Sequence, residues 1–320
     1  MKRLIIKVVP LIDIILSPFV FLSTCLLFFI RRMGIKRMKI SKKIFMKIGI
    51  FPIIDHYYEP LFKTSKLKKS LREDRELPGI NFNTCEQLNI LEKFSYNHEL
   101  ISFPMDKTQN IEYYYNNGSF EVGDAEYLYN MIRFYKPHKI IEIGSGYSTL
   151  MVINAIKKNN EEDVNYKCEH ICIEPYEMQW LEDIPVKLIR KKVEEIDKKI
   201  FKDLEKNDLL FIDSSHMIRP QGDVLFEYLE ILPILKPGVL IHIHDIFTPK
   251  DYLDEWILKG VSFWNEQYLL EAFLSFNNKY KIIGALNFLK YNYFKELTNK
   301  CPIFKNNPNT EPGSFWIMRI

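Results

Sequence analysis

The sequence predicts an α/β fold: a mainly parallel, doubly wound sheet of seven strands with an antiparallel last strand, plus an N-terminal hydrophobic helix. Three observations carry this reading. Between Lys139 and His244, short and almost wholly apolar β-branched runs alternate with amphipathic stretches. Strands that are apolar throughout and separated by helices belong to a parallel sheet covered on both faces. One such run, KIIEI, enters the glycine-rich turn Gly144-Ser145-Gly146 and leaves as a helix. Two further apolar runs come late in the chain, an arrangement that suggests an antiparallel finish.

From Pro10 to Ile30 a run of about 20 residues carries a single charge, Asp13, and is long enough to cross a hydrocarbon core of about 30 Å. Asp13 would cost roughly 2.5–3.5 kcal/mol at the centre of a bilayer but lies near one end, and Pro18 would kink the helix. Lys2, Arg3 and Lys7 precede the run; eight Lys and Arg with no acid fill Arg31 to Lys47. A cleavable signal is a poor reading, because no small-x-small site comes after the run and dense positive charge does. A single membrane span, a helix lying in the interface and held by basic residues on anionic lipid, and a hydrophobic helix buried against protein all remain open. Residues 33–110 read as a basic linker and accessory region, with helical spacing at Glu86–Phe94.

Residues 111–320 read as the chemical domain. Asp124, as N-cap, opens a helix that runs to Tyr135 and stops at Pro137. Strands come next at 139–143, 170–174, 186–189, 208–213 and 239–244, with helices at 148–158 and 223–235. The tail reads as a helix at 264–275 and strands at 281–288 and 314–320.

Composition narrows the function. A formal charge of +3 is too small to argue for nucleic acid, and the basic stretch adjoins the hydrophobic segment rather than the predicted site. No base-flipping motif is visible. Five cysteines without paired spacing fit a reducing compartment and give no zinc motif.

At the turn, glycines let the backbone approach a ligand, and the following helix N-terminus offers unpaired N–H groups. A dinucleotide fingerprint needs a third glycine where Thr149 stands. Glu142 before the turn would repel a pyrophosphate and suits a ligand bearing a positive amino or sulfonium group. Glu174 ends the second strand, where an acid can accept from ribose hydroxyls. Strand–E-x-G-x-G–helix followed by strand–Glu resembles the class I methyltransferases that use S-adenosylmethionine (SAM). The stretches FIDSSH (211–216), GDVLFEYLEILPILKPGV (222–239), HIHDIF (242–247) and GSFWIMRI (313–320) resemble their bacterial family-24-type branch. The resemblance runs from about Tyr113 to the end and implies a Rossmann-like class I methyltransferase fold. It makes Glu142, Gly144, Ser145, Gly146, Tyr147, Ser148, Glu174 and Asp213 the candidate cofactor-binding residues.

Asp213 and Asp245 end neighbouring strands, and in open α/β sheets ligands sit beyond those ends. With His216 and His244 they form the candidate catalytic set. Methyl transfer from a sulfonium needs an acceptor that is deprotonated and aimed. Two routes stay open. A histidine can take the proton; alternatively Asp213, His216 and Asp245 can hold a divalent cation such as Mg²⁺ that acidifies the acceptor. Catechol-type O-methyltransferases, distant relatives in fold, place metal-binding acids after these two strands. Ile246 and Phe247 offer nothing where that group has an asparagine. His242 reads as a core histidine. Arg219 is a candidate reader of an anionic substrate, with Asp223 as the next N-cap. Tyr252, Trp256, Trp264 and Tyr268 are lid candidates; Tyr113–Tyr115 and Asn117 are candidates to close over the cofactor.

The resulting expectation is a SAM-dependent methyltransferase acting on oxygen of a small-molecule, saccharide or lipid-linked acceptor. It would be cytoplasmic, attached through its N-terminal segment to the cytoplasmic face of the inner membrane. A membrane-tethered scaffold that keeps the fold without catalysis, and an NAD-type oxidoreductase, are the competing classes.

Overall fold

The computed structural model describes residues 2–320, with side chains from Val8 onward, and the chain divides into two compact units, residues 1–68 and 69–320. The side chains of Lys2, Arg3 and Lys7 lie outside the described residues.

In the first unit a helix spans Lys2–Met33 and runs through both Pro10 and Pro18. Its stretch Val8–Met33 is long and apolar enough to cross a membrane. Arg31, in the last turn, pairs with Glu59 and lies 4.8 Å above the Phe51 ring. A second helix, Lys39–Ile48, ends at Gly49, whose left-handed φ of +81° lets its N–H return to the Phe45 carbonyl. It carries Lys39, Lys42, Lys43 and Lys47 together with exposed Ile40, Ile44, Met46 and Ile48.

The second unit is built on a seven-stranded sheet in the order β3-β2-β1-β4-β5-β7-β6. The strands are β1 (Lys139–Ile143), β2 (Glu169–Ile173), β3 (Lys187–Ile189), β4 (Leu209–Ile212), β5 (Leu240–Ile243), β6 (Tyr280–Ala285) and β7 (Phe315–Arg319). The pairs among β1 to β5 are parallel; β7 is antiparallel to both β5 and β6. Side-chain alternation sorts the strands between two cores. Ile140, Leu209, Phe211 and Trp316 face the helices Asp124–Tyr135 and Tyr147–Glu162, while Ile141, Leu210, Ile212 and Ile317 face Val224, Tyr228 and Leu270. Residues 69–110 belong to this unit. The helix Thr84–Lys93 presents Gln87, whose amide oxygen accepts from Ala285 N–H at 2.7 Å, and Arg75 binds both oxygens of Glu271 at 2.5 and 2.7 Å.

Several boundaries differ from the sequence expectation. Gly123, with φ of +85°, is the N-cap in place of Asp124. Asp124 instead accepts from the Gly313 and Ser314 N–H groups, tying that helix to the start of β7. Gly222, not Asp223, caps the next helix. That helix opens as α over Asp223–Phe226, then widens into a π turn at Glu227–Ile231 and tightens into a 3₁₀ turn at Leu232–Ile234. Pro233 has no N–H to continue the α ladder. The late strand stops at Ala285, and Leu286–Asn292 is helical. Apolar residues continue on both sides of that junction, and Gly284 and Asn287 within it do not mark where the strand ends.

Glu126 secures the entry of its helix. Its carboxylate accepts from Gly123 N–H at 3.0 Å, Ile303 N–H at 2.7 Å and Phe304 N–H at 2.9 Å, in a fully buried setting. Removing it leaves three donors without a partner, each worth about 1–3 kcal/mol when buried. Glu126→Ala is therefore expected to lower unfolding free energy by about 3 kcal/mol or more in a urea titration, and Glu126→Gln, which keeps one acceptor, by less.

Candidate active site

The sheet positions the site through its hydrogen-bond ladder. Gly144 N–H reaches the Ile173 carbonyl at 3.0 Å, Asp213 N–H the Ile143 carbonyl at 2.8 Å, and His244 N–H the Ile212 carbonyl at 2.9 Å. The ends of β2, β1, β4 and β5 are thus level, and the residues that come after them share one rim. Beyond that rim lies a cavity of about 620 Å³, within the range of small-molecule and cofactor sites.

One end of the cavity is the glycine turn. Gly144 has φ of +77°, and Gly146 is extended with room in front of it. Gly146 N–H is taken by Thr149 Oγ1 at 3.1 Å, so the residue that replaces the third glycine of a dinucleotide motif closes the turn internally. Glu174 braces the turn from the neighbouring strand. One oxygen accepts from Tyr176 and Glu177 N–H at 2.8 and 2.9 Å, and the other from Ser145 N–H at 3.4 Å. Gly144, Ser145, Gly146, Tyr147, Ser148, Glu174 and Asp213 all line the cavity. Glu142 does not. Its side chain points into the helix-covered face of the sheet, is fully buried, and accepts from His170 Nε2 at 2.8 Å. Strand alternation explains this: Ile143 carries the chain to the rim, and Glu142 sits one residue too deep.

The other end holds two carboxylates and two imidazoles. His216 Nε2 stands 3.4 Å from Asp213 Oδ1 and 3.4 Å from Asp245 Oδ2. His244 Nδ1 faces the opposite oxygens, at 3.4 Å from Asp213 Oδ2 and 3.5 Å from Asp245 Oδ1. Each carboxylate therefore bridges the two rings. Behind them, His216 Nδ1 meets Glu266 Oε2 at 2.8 Å, and His244 Nε2 lies 3.5 Å from Asp124. His216 and Asp245 both hold left-handed backbone, φ of +57° and +58°, uncommon outside glycine although His and Asp adopt it more readily than most. This backbone after two adjacent strands aims these groups at one another.

Charge follows geometry. Burial alone would push the Asp213 carboxyl up, but the His244 and His216 rings beside it hold it well below the usual carboxylate range. In Asp245 burial prevails over the same two rings and raises the carboxyl above its ordinary value. Burial pulls both histidines down, and the facing carboxylates outweigh it, lifting His216 and His244 well above an ordinary imidazole. His242 goes the opposite way, lowered by burial and by the charge on His244. It is a core residue, 2.8 Å from Ser314 Oγ and stacked on Phe211.

The remaining candidates separate. Arg219 lines the cavity, 3.7 Å from Asp223, whose carboxylate is engaged by Ser215 N–H and Oγ. Tyr113 and Tyr115 are buried, their hydroxyls donating to the Phe120 and Leu100 carbonyls. Asn117 shapes the loop, accepting from Ser119 and Phe120 N–H and so setting Phe120 against the cavity. Trp264 lies 4.7 Å from the His216 ring and 5.0 Å from Trp256, and Tyr252 is fully buried behind them. Sequence reasoning missed Phe120, Met178 and Glu266. Glu266 carries no local motif and meets His216 only because the chain folds back fifty residues later.

The fold and the site define a class I methyltransferase. Residues 141–246 match a family model described as a methyltransferase domain, the family-24 type. An uncharacterized protein of Archaeoglobus fulgidus is 33% identical over 171 residues, covering 49% of this chain and 75% of that protein. The chain belongs to the same family as this archaeal protein, and its residues 141–246 carry the methyltransferase domain. Solved structures with some likeness include an O-methyltransferase from Bacillus cereus in complex with SAH, with a TM-score of 0.36 and 11% identity over 74% of this chain and 91% of that one. Another is TomG, an O-methyltransferase of Streptomyces achromogenes involved in tomaymycin synthesis, in complex with SAM; its TM-score is 0.35, with 12% identity over 72% and 89% of the two chains. At those scores neither likeness bears on the chemistry of this chain.

Proposed function

We propose that this chain transfers the SAM methyl group to an oxygen of a small acceptor, at a divalent cation held by Asp213, His216 and Asp245. The observation that supports this is the position of His216 Nε2. It lies 3.4 Å from each of two carboxylates, longer than a good hydrogen bond, while its other nitrogen is committed to Glu266 at 2.8 Å. A carboxylate behind a ligating histidine fixes the tautomer that leaves the second nitrogen free for a metal.

The cofactor residues fit their ligand. Glu174 reaches the cavity at the end of β2, Gly146 leaves open space, and Ser145 has a buried hydroxyl with no partner. SAM, when bound, supplies an electrophilic methyl carbon. The chain must then hold an acceptor oxygen in line with it, help remove the proton and exclude water. A cation at the Asp213 cluster would supply Lewis acidity toward that oxygen. Phe120 at the cavity wall and Trp264 over His216 are the apolar surfaces nearest this point. A second reading needs no metal and is favoured by the pairing in the cluster: each of the two imidazoles stands within 3.5 Å of both Asp213 and Asp245. There the proton would leave through His216 or His244.

The acceptor we infer is a hydroxyl of a small molecule, saccharide or lipid-linked intermediate at the cytoplasmic membrane face. Support comes from the apolar helix and the cationic residues after it. In functional terms we assign membrane association to residues 1–32, chemistry to 111–320, and an accessory role to 33–110. Calorimetric titration of SAM into the detergent-solubilised full chain is expected to show saturable binding; none at millimolar SAM with a folded protein overturns the reading. Chelator treatment is expected to abolish turnover and Mg²⁺ or Mn²⁺ to restore it, whereas chelator-insensitive turnover selects the histidine route. Deleting residues 1–32 should move the chain from the membrane to the soluble fraction.

A further inference from the structure

A second polar cluster lies on β1 and β2 just before the glycine turn, and none of its residues lines the cavity. Glu142 on β1 is in register with Cys172 on β2, and His170 is two residues earlier on β2, so all three side chains project from one face of the sheet. His170 is almost completely enclosed, and Glu142 and Cys172 are fully so. One carboxylate oxygen, Glu142 Oε2, is 2.8 Å from His170 Nε2 and 3.4 Å from Cys172 Sγ; Sγ and Nε2 are 3.6 Å apart. We propose that Glu142, His170 and Cys172 form a buried binding site for a zinc-class divalent cation.

Ligand geometry supports it. With metal–sulfur, metal–nitrogen and metal–oxygen bonds of about 2.3, 2.05 and 2.0 Å at tetrahedral angles, the S···N and S···O edges come to about 3.6 and 3.5 Å. The two edges here are 3.6 and 3.4 Å. Only the N···O edge must open, from a hydrogen bond at 2.8 Å to about 3.3 Å. The polar inventory agrees. Glu142 Oε1 and His170 Nδ1 are buried without partners. The charges also close: a divalent cation with one thiolate and one carboxylate is neutral, as an enclosed site requires. On binding, the Cys172 thiol gives its proton to solvent and His170 Nε2 offers its lone pair, with the ring proton on Nδ1.

The site would tie β1 to β2 just before Gly144–Ser148. Its role would be structural, holding the turn rather than touching the acceptor.

Cobalt distinguishes this site from the Asp213 cluster, which has no sulfur. The full chain, stripped with chelator and given Co²⁺, is expected to develop a saturable near-ultraviolet thiolate-to-cobalt band. Cys172→Ser should abolish the band and His170→Gln should weaken cobalt uptake, while Asp213→Asn should leave the band in place. Zn²⁺ should displace the cobalt and raise the melting temperature of the wild type. No band in the folded wild-type chain overturns the proposal, and so does a band that survives Cys172→Ser, since it would report another thiol. If that variant fails to fold, the wild-type band and the His170→Gln titration still decide. SAM binding and magnesium dependence are read separately, so either reading can fail alone.

Discussion

Gly144→Ala is expected to abolish SAM binding and to lower the melting temperature of the chain sharply. Gly144 sits at φ of +77°, and a Cβ built there falls 1.8 Å from the Asp213 carbonyl oxygen and 2.8 Å from its carbon. The obstacle is backbone, so no rotamer change relieves it. Asp213 is itself held by its N–H bond to the Ile143 carbonyl at 2.8 Å. A methyl group can enter only by pushing the ends of β1 and β4 apart, which separates the cofactor turn from the acid cluster. Backbone strain of this kind and a broken ladder bond together cost about 4 kcal/mol or more. Gly146→Ala is the control. Gly146 is extended, and its nearest neighbour would be the Met178 methyl at 3.8 Å, inside the cavity. That variant should melt near the wild-type temperature yet bind SAM about 100-fold more weakly, a loss of about 2.7 kcal/mol. Thermal melts and calorimetry on the two variants read the two effects. Equal stability for Gly144→Ala would show that the turn has slack that its contacts do not suggest.

The contrast between these glycines marks how far the sequence could be read. Hydrophobic runs gave every strand to within a few residues, because strands buried on both faces are written as uninterrupted apolar segments. The parallel order followed from helices between them, and the antiparallel β7 from its late position. The glycine turn at the rim of the cavity was legible because its pattern is local: glycine, hydroxyl and helix start are adjacent in the chain. Glu142 was assigned to the ligand because it adjoins that turn, but adjacency in sequence does not determine which side of a strand a residue faces at its end. The structure turns it toward His170, and the buried cluster just before the turn was invisible for the same reason. Glu266 could not be found at all. Its role depends on the start of the helix Glu266–Leu274 meeting the loop after β4, a contact that no spacing rule anticipates. The entry of the helix at Asp124 was misplaced by one residue because aspartate is the commoner cap, whereas here its carboxylate is needed by Gly313 and Ser314.

The second large effect is expected in the acid cluster, where contact with the cation and support of that contact can be told apart. Asp213→Asn keeps the shape of the side chain and removes the charge that His216 and His244 both face. If the cation sits between Asp213, His216 and Asp245, kcat should fall by about 10²–10³-fold, the scale of losing one preorganised electrostatic contact. Cation affinity should fall with it. His216→Gln should behave alike. His244→Gln differs in kind, because His244 Nδ1 faces the two oxygens that His216 does not. It acts as a positioning residue, holding both carboxylates from behind, and its loss should weaken the cation about 10–100-fold with turnover recovering at high magnesium. Under the histidine route the pattern inverts: magnesium rescues nothing, and whichever histidine takes the proton loses turnover irrespective of metal. A Glu266→Gln variant adds the decisive comparison. Glu266 touches His216 Nδ1 and the Tyr228 hydroxyl, both behind the reacting face. A cation dependence that shifts in this variant, with the fold intact by circular dichroism, would place His216 among the ligands; an unshifted cation dependence would leave His216 as a proton carrier held by Glu266.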